Sequence, residues 1–353
     1  MKNIADIDKN FAVKTSIDRE GLRFYDIEEA PFRIYGVFRE NGMFRRMPEA
    51  VAQTVSEGVY ELHACGAGGR VRFVTDSAYV AIKTEYLPMK MPHFALTGSC
   101  GFDMYAQWEG KIRYQGTFEP PFDVQDGYES VVDLLDNDGH EKIITINFPL
   151  YSSVKTLYIG LDENATLKEA PDYKIETPVV YYGSSITQGG CASKPGSSYQ
   201  SILSRRFDCN YINLGFSGSA CGEDEITEYI KQLDMSVFVL DYDYNAPTVE
   251  HLEQTHSRMF EAIRAAHPDL PILIMPRPRY YVNGVHEQRR QVVYNTYLEA
   301  KAKGDRNVYY IAGQELMELV EDNGTVDGYH PTDSGFFSMA RAMEKVFQEI
   351  WSR

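Results

Sequence analysis

Val179-Val180-Tyr181-Tyr182-Gly183-Ser184-Ser185-Ile186-Thr187-Gln188-Gly189-Gly190 changes character a third of the way along. Its first four residues are β-branched or aromatic, as in a buried strand. The run then breaks into Gly, Ser and Thr, and a helix-like segment follows at Tyr199–Phe207. Ser185 therefore falls just past the carboxyl end of a strand, on a tight turn feeding a helix. An open α/β sheet presents its reactive groups at that place.

Downstream of this stretch, strand and helix patterns alternate. Strand candidates are 178–183, 211–215, 236–242, 271–276 and 307–311. The intervening helices are amphipathic: Val249, Leu252, His256, Met259, Phe260 and Ile263 recur at helical spacing, as do Phe336, Met339, Ala340, Met343, Val346, Phe347 and Ile350. Five β-α units predict a right-handed parallel sheet with helices on both faces, and a flavodoxin-like strand order fits it.

Upstream, the chain reads as β-rich. Short strand-like segments at 60–64, 71–74, 79–83, 112–114, 142–147 and 156–160 are separated by turn chemistry at 66–69, 109–110 and 136–139. Such spacing predicts an antiparallel β-sandwich. Pro171-Asp172-Tyr173-Lys174 marks a junction, so the expected domains are 1–175, the sandwich, and 176–353, a three-layer α/β/α domain. A length of 353 residues suits two domains, each with its own core.

The net charge is −16. So acidic a surface repels nucleic acid and anionic membrane, so neither is an expected partner, and a small neutral or cationic substrate fits better. Residues 1–6 show no apolar h-region and no run approaches 18 apolar residues, so a cytoplasmic location is expected. Five cysteines (65, 100, 191, 209 and 221) without CxxC spacing suit reduced thiols. Cys191 and Cys221 read as small, partly buried residues rather than redox or metal groups. The histidines lack metal spacing, and no cofactor or metal is expected.

In a parallel sheet every carboxyl end points to one edge, so the residues just past each strand belong to one site. In order these are Ser185; the Gly-rich loop Asn213-Leu214-Gly215-Phe216-Ser217-Gly218-Ser219; Asp241-Tyr242-Asp243-Tyr244-Asn245; Arg277-Pro278-Arg279-Tyr280-Tyr281; and Asp327-Gly328-Tyr329-His330-Pro331. These are parts for acyl transfer from a serine. His330 would take the Ser185 proton, and Asp327 would hold the imidazole tautomer by accepting from Nδ1–H. The Ser185 N–H, the Gly218 N–H and the Asn245 amide are candidate oxyanion donors. No G-x-S-x-G elbow is present, which argues against a conventional α/β-hydrolase.

On these residues the second half resembles the SGNH (GDSL-type) hydrolases, whose blocks carry Ser, Gly, Asn and an Asp-x-x-His pair. They stand here as Gly183-Ser184-Ser185-Ile186-Thr187, Asn213…Gly218, Asn245 and Asp327-Gly328-Tyr329-His330-Pro331. Gly101-Phe102-Asp103-Met104-Tyr105 is similar to the motif of a GxDLY-type β-domain found ahead of such hydrolases. Two departures stand out: Ser184 replaces the usual Asp before the nucleophile, and Asp243-Tyr244-Asn245-Ala246 replaces Gly-x-Asn-Asp. The resemblance implies a serine esterase, and its members with an N-terminal sandwich include deacetylases of plant polysaccharides.

Each residue also has an ordinary reading in isolation: Ser185 and His330 as helix caps, Asn245 and Asp327 as turn formers. Their joint order outweighs these. The expected activity is hydrolysis of short acyl esters, acetyl foremost, on carbohydrate such as acetylated xylo-oligosaccharides. Alternatives are a lipase or thioesterase of the same superfamily, or a non-catalytic carbohydrate-binding protein on the same scaffold. A homo-oligomer is compatible with the sequence. Arg277, Arg279, Tyr280 and Tyr281 read either as a substrate grip or as a turn stiffened by Pro276 and Pro278.

Overall fold

The computed structural model describes residues 14–135 and 139–352. The amino-terminal residues read for a targeting segment, and all but Gly139 of the turn at 136–139, lie outside them. The described chain forms two compact units. One comprises residues 14–45, 64–172 and 194–196; the other comprises 46–63, 173–193 and 197–352.

The first unit holds two antiparallel sheets. One runs in the order Leu22–Asp26, Ser153–Asp162, Tyr79–Leu87, Gly127–Asp133. The other runs Leu167–Lys168, Arg70–Thr75, Lys142–Asn147, Phe102–Trp108, Lys111–Phe118, with Arg33–Tyr35 also pairing to Arg70–Thr75. Alternate residues of both sheets, among them Val80, Ile82, Leu157 and Ile159 from one and Val71, Phe73, Phe102 and Ile144 from the other, meet in a single core. This is the expected sandwich. The Glu109-Gly110 turn joins two of its strands with both residues at positive φ, 50° and 72°, as a two-residue hairpin loop demands. Asp103 of the Gly101–Tyr105 motif is fully buried and accepts from Asn147 Nδ2 and from the Gly196 N–H, each at 2.7 Å.

Residues 60–64 are not a strand. Glu57–Leu62 is helical, started by the Ser56 hydroxyl accepting from the Val59 N–H at 3.2 Å. Its buried residues, Val59 and Leu62, are three apart, a helical spacing and not an alternating one. With the preceding helix Glu49–Val55, this segment belongs to the second unit. The stretch 1–175 is therefore not one body: residues 46–63 fold with the downstream half.

The second unit is built on a five-stranded parallel sheet in the order Cys209–Gly215, Ile175–Gly183, Val237–Asp241, Ile272–Ile274, Val308–Tyr310. Numbered along the chain this is 2-1-3-4-5, the flavodoxin-like order. The expected strands are all present, with ends shifted by a few residues. Val237–Asp241 is buried throughout, as befits a strand covered on both faces. Helices Tyr199–Phe207 and Val249–Ala266 each bury one face, and the last helix, Asp333–Trp351, buries Phe336, Met339, Ala340, Met343, Phe347 and Ile350. No helix among the described residues is long and apolar enough to cross a membrane.

The register decides what the site contains. Gly183, at the end of the strand second from the edge, lies opposite Gly215 on one side and Asp241 on the other. Neighbouring strands are about 4.8 Å apart. The loop bearing Ser185 is thus flanked by the loop bearing Gly218 and the loop bearing Asn245.

Candidate active site

Ser185 opens a four-residue helix, Ser185–Gln188. Ser184 caps it: its hydroxyl accepts from the Ile186 N–H at 3.2 Å, so the serine that replaces the usual Asp keeps a capping oxygen there. Gly189, at φ 100°, ends the helix in the left-handed region. Neighbouring elements hold the turn. The Thr187 carbonyl accepts from Asn213 Nδ2 at 2.7 Å and Gln200 Nε2 at 2.6 Å, and Gln188 Oε1 accepts from the Ser217 N–H at 3.0 Å.

Beneath it lies Asp241, whose Oδ2 accepts from the Thr187 hydroxyl at 3.0 Å and from Tyr199 at 3.2 Å. Complete burial pushes its carboxyl up to about 8, more than these two hydrogen bonds pull it down. Arg46 is also buried, and its guanidinium donates to the carbonyls of Asn213, Gly215 and Leu62. It fastens the end of the Cys209–Gly215 strand, just before the Gly218 loop.

His330 Nε2 lies 2.9 Å from Ser185 Oγ, and His330 Nδ1 lies 2.7 Å from Asp327 Oδ2. With a proton on Nδ1, the network leaves Nε2 as an acceptor for the serine hydroxyl. Asp327 Oδ1 accepts from the backbone N–H groups of His330, at 2.8 Å, and Tyr329, at 3.0 Å. The loop is closed by a bridge between Thr325 and Pro331 and by the Val326 N–H donating to the His330 carbonyl at 2.8 Å. Burial alone would raise the Asp327 carboxyl, but hydrogen bonds from His330 and Tyr329 outweigh it and hold it down at about 2. It is a carboxylate across the whole working range of pH.

Gly218 adopts φ 70°, and a Cβ there would meet nothing within 4 Å. It sits in a turn in which the Ser219 N–H donates to the Phe216 carbonyl at 3.0 Å. The same carbonyl accepts from Asn245 Nδ2 at 2.8 Å, which ties the two loops flanking Ser185 to each other. An amide nitrogen carries two N–H groups, so one remains for another acceptor.

The sequence residues thus fall into two connected sets: Ser185, His330 and Asp327 in one hydrogen-bonded line, and Asn245 tied through the Phe216 carbonyl to the turn that contains Gly218. The Arg277 guanidinium lies on Asp243 through Nε and Nη2, and its Nη1 faces His286 Nδ1 at 3.0 Å. Burial raises the Cys191 thiol to about 12 and Cys221 to about 11, which suits inert side chains. Arg46 and Arg289 carry no short motif, and Asp241 and Asp243 stand in the sequence only as neighbours of Asn245. Only the fold shows that they support the site.

Family comparisons agree with this architecture. Residues 176–348 match the GDSL-like Lipase/Acylhydrolase family, and residues 22–167 match GxDLY, the N-terminus of SGNH-hydrolase-type esterases. A search of curated proteins finds no match. Among solved structures, a protein described as a GDSL-like lipase from Bacteroides ovatus is 27% identical, with a TM-score of 0.83, covering 94% of this chain and 98% of that one. The salicylyl-acyltransferase SsfX3 from a tetracycline biosynthetic pathway is 19% identical, TM-score 0.74, with the same coverage of both chains. The acetyl xylan esterase Est2A from the rumen bacterium Butyrivibrio proteoclasticus is 10% identical, TM-score 0.56, covering 93% of this chain and 99% of that one. The chain belongs to the SGNH (GDSL-type) hydrolases, with the GxDLY N-terminus of that class, and is an esterase.

Proposed function

We propose that Ser185 is the nucleophile of a short-acyl esterase working through an acyl-enzyme. The observation that carries this reading is the line Ser185 Oγ, His330 Nε2, His330 Nδ1, Asp327 Oδ2, with successive contacts of 2.9 and 2.7 Å. His330 takes the Ser185 proton as Oγ attacks the ester carbonyl, then gives it to the departing alkoxide. Asp327 fixes the tautomer and balances the imidazolium. The Ser185 and Gly218 N–H groups and the second N–H of Asn245 stabilise the oxyanion. Water, deprotonated by the same imidazole, releases the acid and restores Ser185.

For the substrate we take acetyl on a neutral carbohydrate, such as an acetylated xylo-oligosaccharide. The family resemblance supports this choice, and the net charge of −16 disfavours anionic glycans. The test is a chain-length series of p-nitrophenyl esters followed by acetylated xylo-oligosaccharides. Rates that fall from acetyl through butyryl to octanoyl, with acetate released from the oligosaccharide, are expected. A preference for octanoyl would replace this reading with a lipase or thioesterase. Failure of Ser185 to react with a fluorophosphonate would replace it with a binding protein.

A further inference from the structure

The loop that carries Asn245 departs from the family pattern at Asp243, and the structure shows what the departure holds. Asp243 has no exposed side-chain surface. Its Oδ1 accepts from Arg289 Nε at 2.7 Å and Arg277 Nη2 at 3.2 Å; its Oδ2 accepts from Arg277 Nε at 3.2 Å and the Arg277 N–H at 2.9 Å. Burial works against this carboxylate, but the two guanidiniums prevail and keep it ionised. Arg289 goes further. Its Nη2 donates to the backbone carbonyls of Asp243 and, at 2.8 Å, Ala246, the residues on either side of Tyr244-Asn245. Arg277 lies over the Tyr244 ring, 4.3 Å from its centroid.

We infer that Arg277 and Arg289 are positioning residues: they clamp Asp243 and the carbonyls bracketing Asn245, and so hold the Asn245 amide in place to serve the oxyanion. Both guanidiniums are engaged on this loop: Arg289 sits on the helix Gly284–Ala302 with its side chain 5% exposed, and the Arg277 side chain is 10% exposed. Lysine cannot reproduce the clamp, because one ammonium cannot span a carboxylate and two carbonyls as a planar fork does. The inference rests on the proposed oxyanion role of Asn245.

The test is a double-mutant cycle on p-nitrophenyl acetate, with thermal melting as the check on folding. Asn245→Ala should lower kcat by about 10²–10³-fold. Arg289→Lys should lower kcat by about 10-fold while KM stays within about 2-fold, because about 1.4 kcal/mol of lost transition-state stabilisation gives that factor. In the Asn245→Ala background, Arg289→Lys should cost nothing more. If it costs the same factor in both backgrounds, Arg289 does not act through Asn245 and the inference fails. Full activity in Asn245→Ala would remove the oxyanion role itself, and the inference with it, while leaving Ser185 as nucleophile untouched. Should Arg289→Lys not fold, Arg277→Lys takes its place with the same two expectations.

Discussion

Asp327 and His330 meet twice: Oδ2 faces the imidazole Nδ1 at 2.7 Å, and Oδ1 takes the backbone N–H of the same residue at 2.8 Å. One carboxylate therefore sets both the tautomer of the ring and the path of the chain that bears it. Asp327→Asn separates the two. The Asn carbonyl oxygen still accepts from the backbone, so the loop survives. Its NH₂ facing Nδ1 selects the opposite tautomer, with the proton on Nε2, where it cannot accept from Ser185. The expected result is a kcat lower by about 10²–10⁴-fold with an unchanged melting temperature. A kcat within about 3-fold of wild type would contradict the assignment.

Gly183 and Gly215 should tolerate no side chain. A Cβ on Gly183 would lie 2.3 Å from the Asp241 carbonyl oxygen, and one on Gly215 would lie 2.2 Å from the Gln188 backbone nitrogen. Both clashes fall on backbone that positions the Ser185 turn. Alanine at either position should destabilise by about 1–3 kcal/mol. It should also depress kcat, since Ser185 must shift. Paired denaturant melts and p-nitrophenyl acetate kinetics check this, and a variant with wild-type values of both would show that the strand ends are looser than described.

Asp241→Asn should change the pH dependence of stability. The folded-state carboxyl is raised to about 8 by burial, above its ordinary value of 3.8. Between these values the unfolded chain has released the proton and the folded chain still holds it. Stability from this group therefore falls as pH rises through that window, and levels off above it. Asn mimics the neutral form and can still accept from Thr187 and Tyr199. The variant should match wild type near pH 4 and exceed it at pH 8, where every tenfold difference in proton affinity between folded and unfolded chain is worth about 1.4 kcal/mol. Urea melts at both values check this; a variant less stable at pH 8 than at pH 4, relative to wild type, would show that Asp241 is ionised in the fold.

The parallel sheet was legible because its strands are short apolar runs separated by amphipathic helices, and the carboxyl-edge rule then placed Ser185, Asn245 and His330 on one side. The helix at Glu57–Leu62 was not, because Tyr60-Glu61-Leu62-His63-Ala64 alternates apolar and polar over a window too short to distinguish the periods. Ser56 before Glu57, with Val59 and Leu62 three apart, was the signal available. The support beneath the site was not legible either. Arg46 and Arg289 reach it from distant parts of the chain, and an arginine's partner depends on the tertiary path. Asp243 stood out as a departure from a family block, yet only the two buried guanidiniums give it a purpose.

In the proposed reaction Ser185 attacks the ester carbonyl. The most direct test is the kcat of Ser185→Ala on p-nitrophenyl acetate beside wild type, with both proteins shown to be folded by thermal melting. A loss of at least about 10³-fold is predicted, since without the hydroxyl no acyl-enzyme can form. Equal rates in variant and wild type would mean that Ser185 is not the nucleophile.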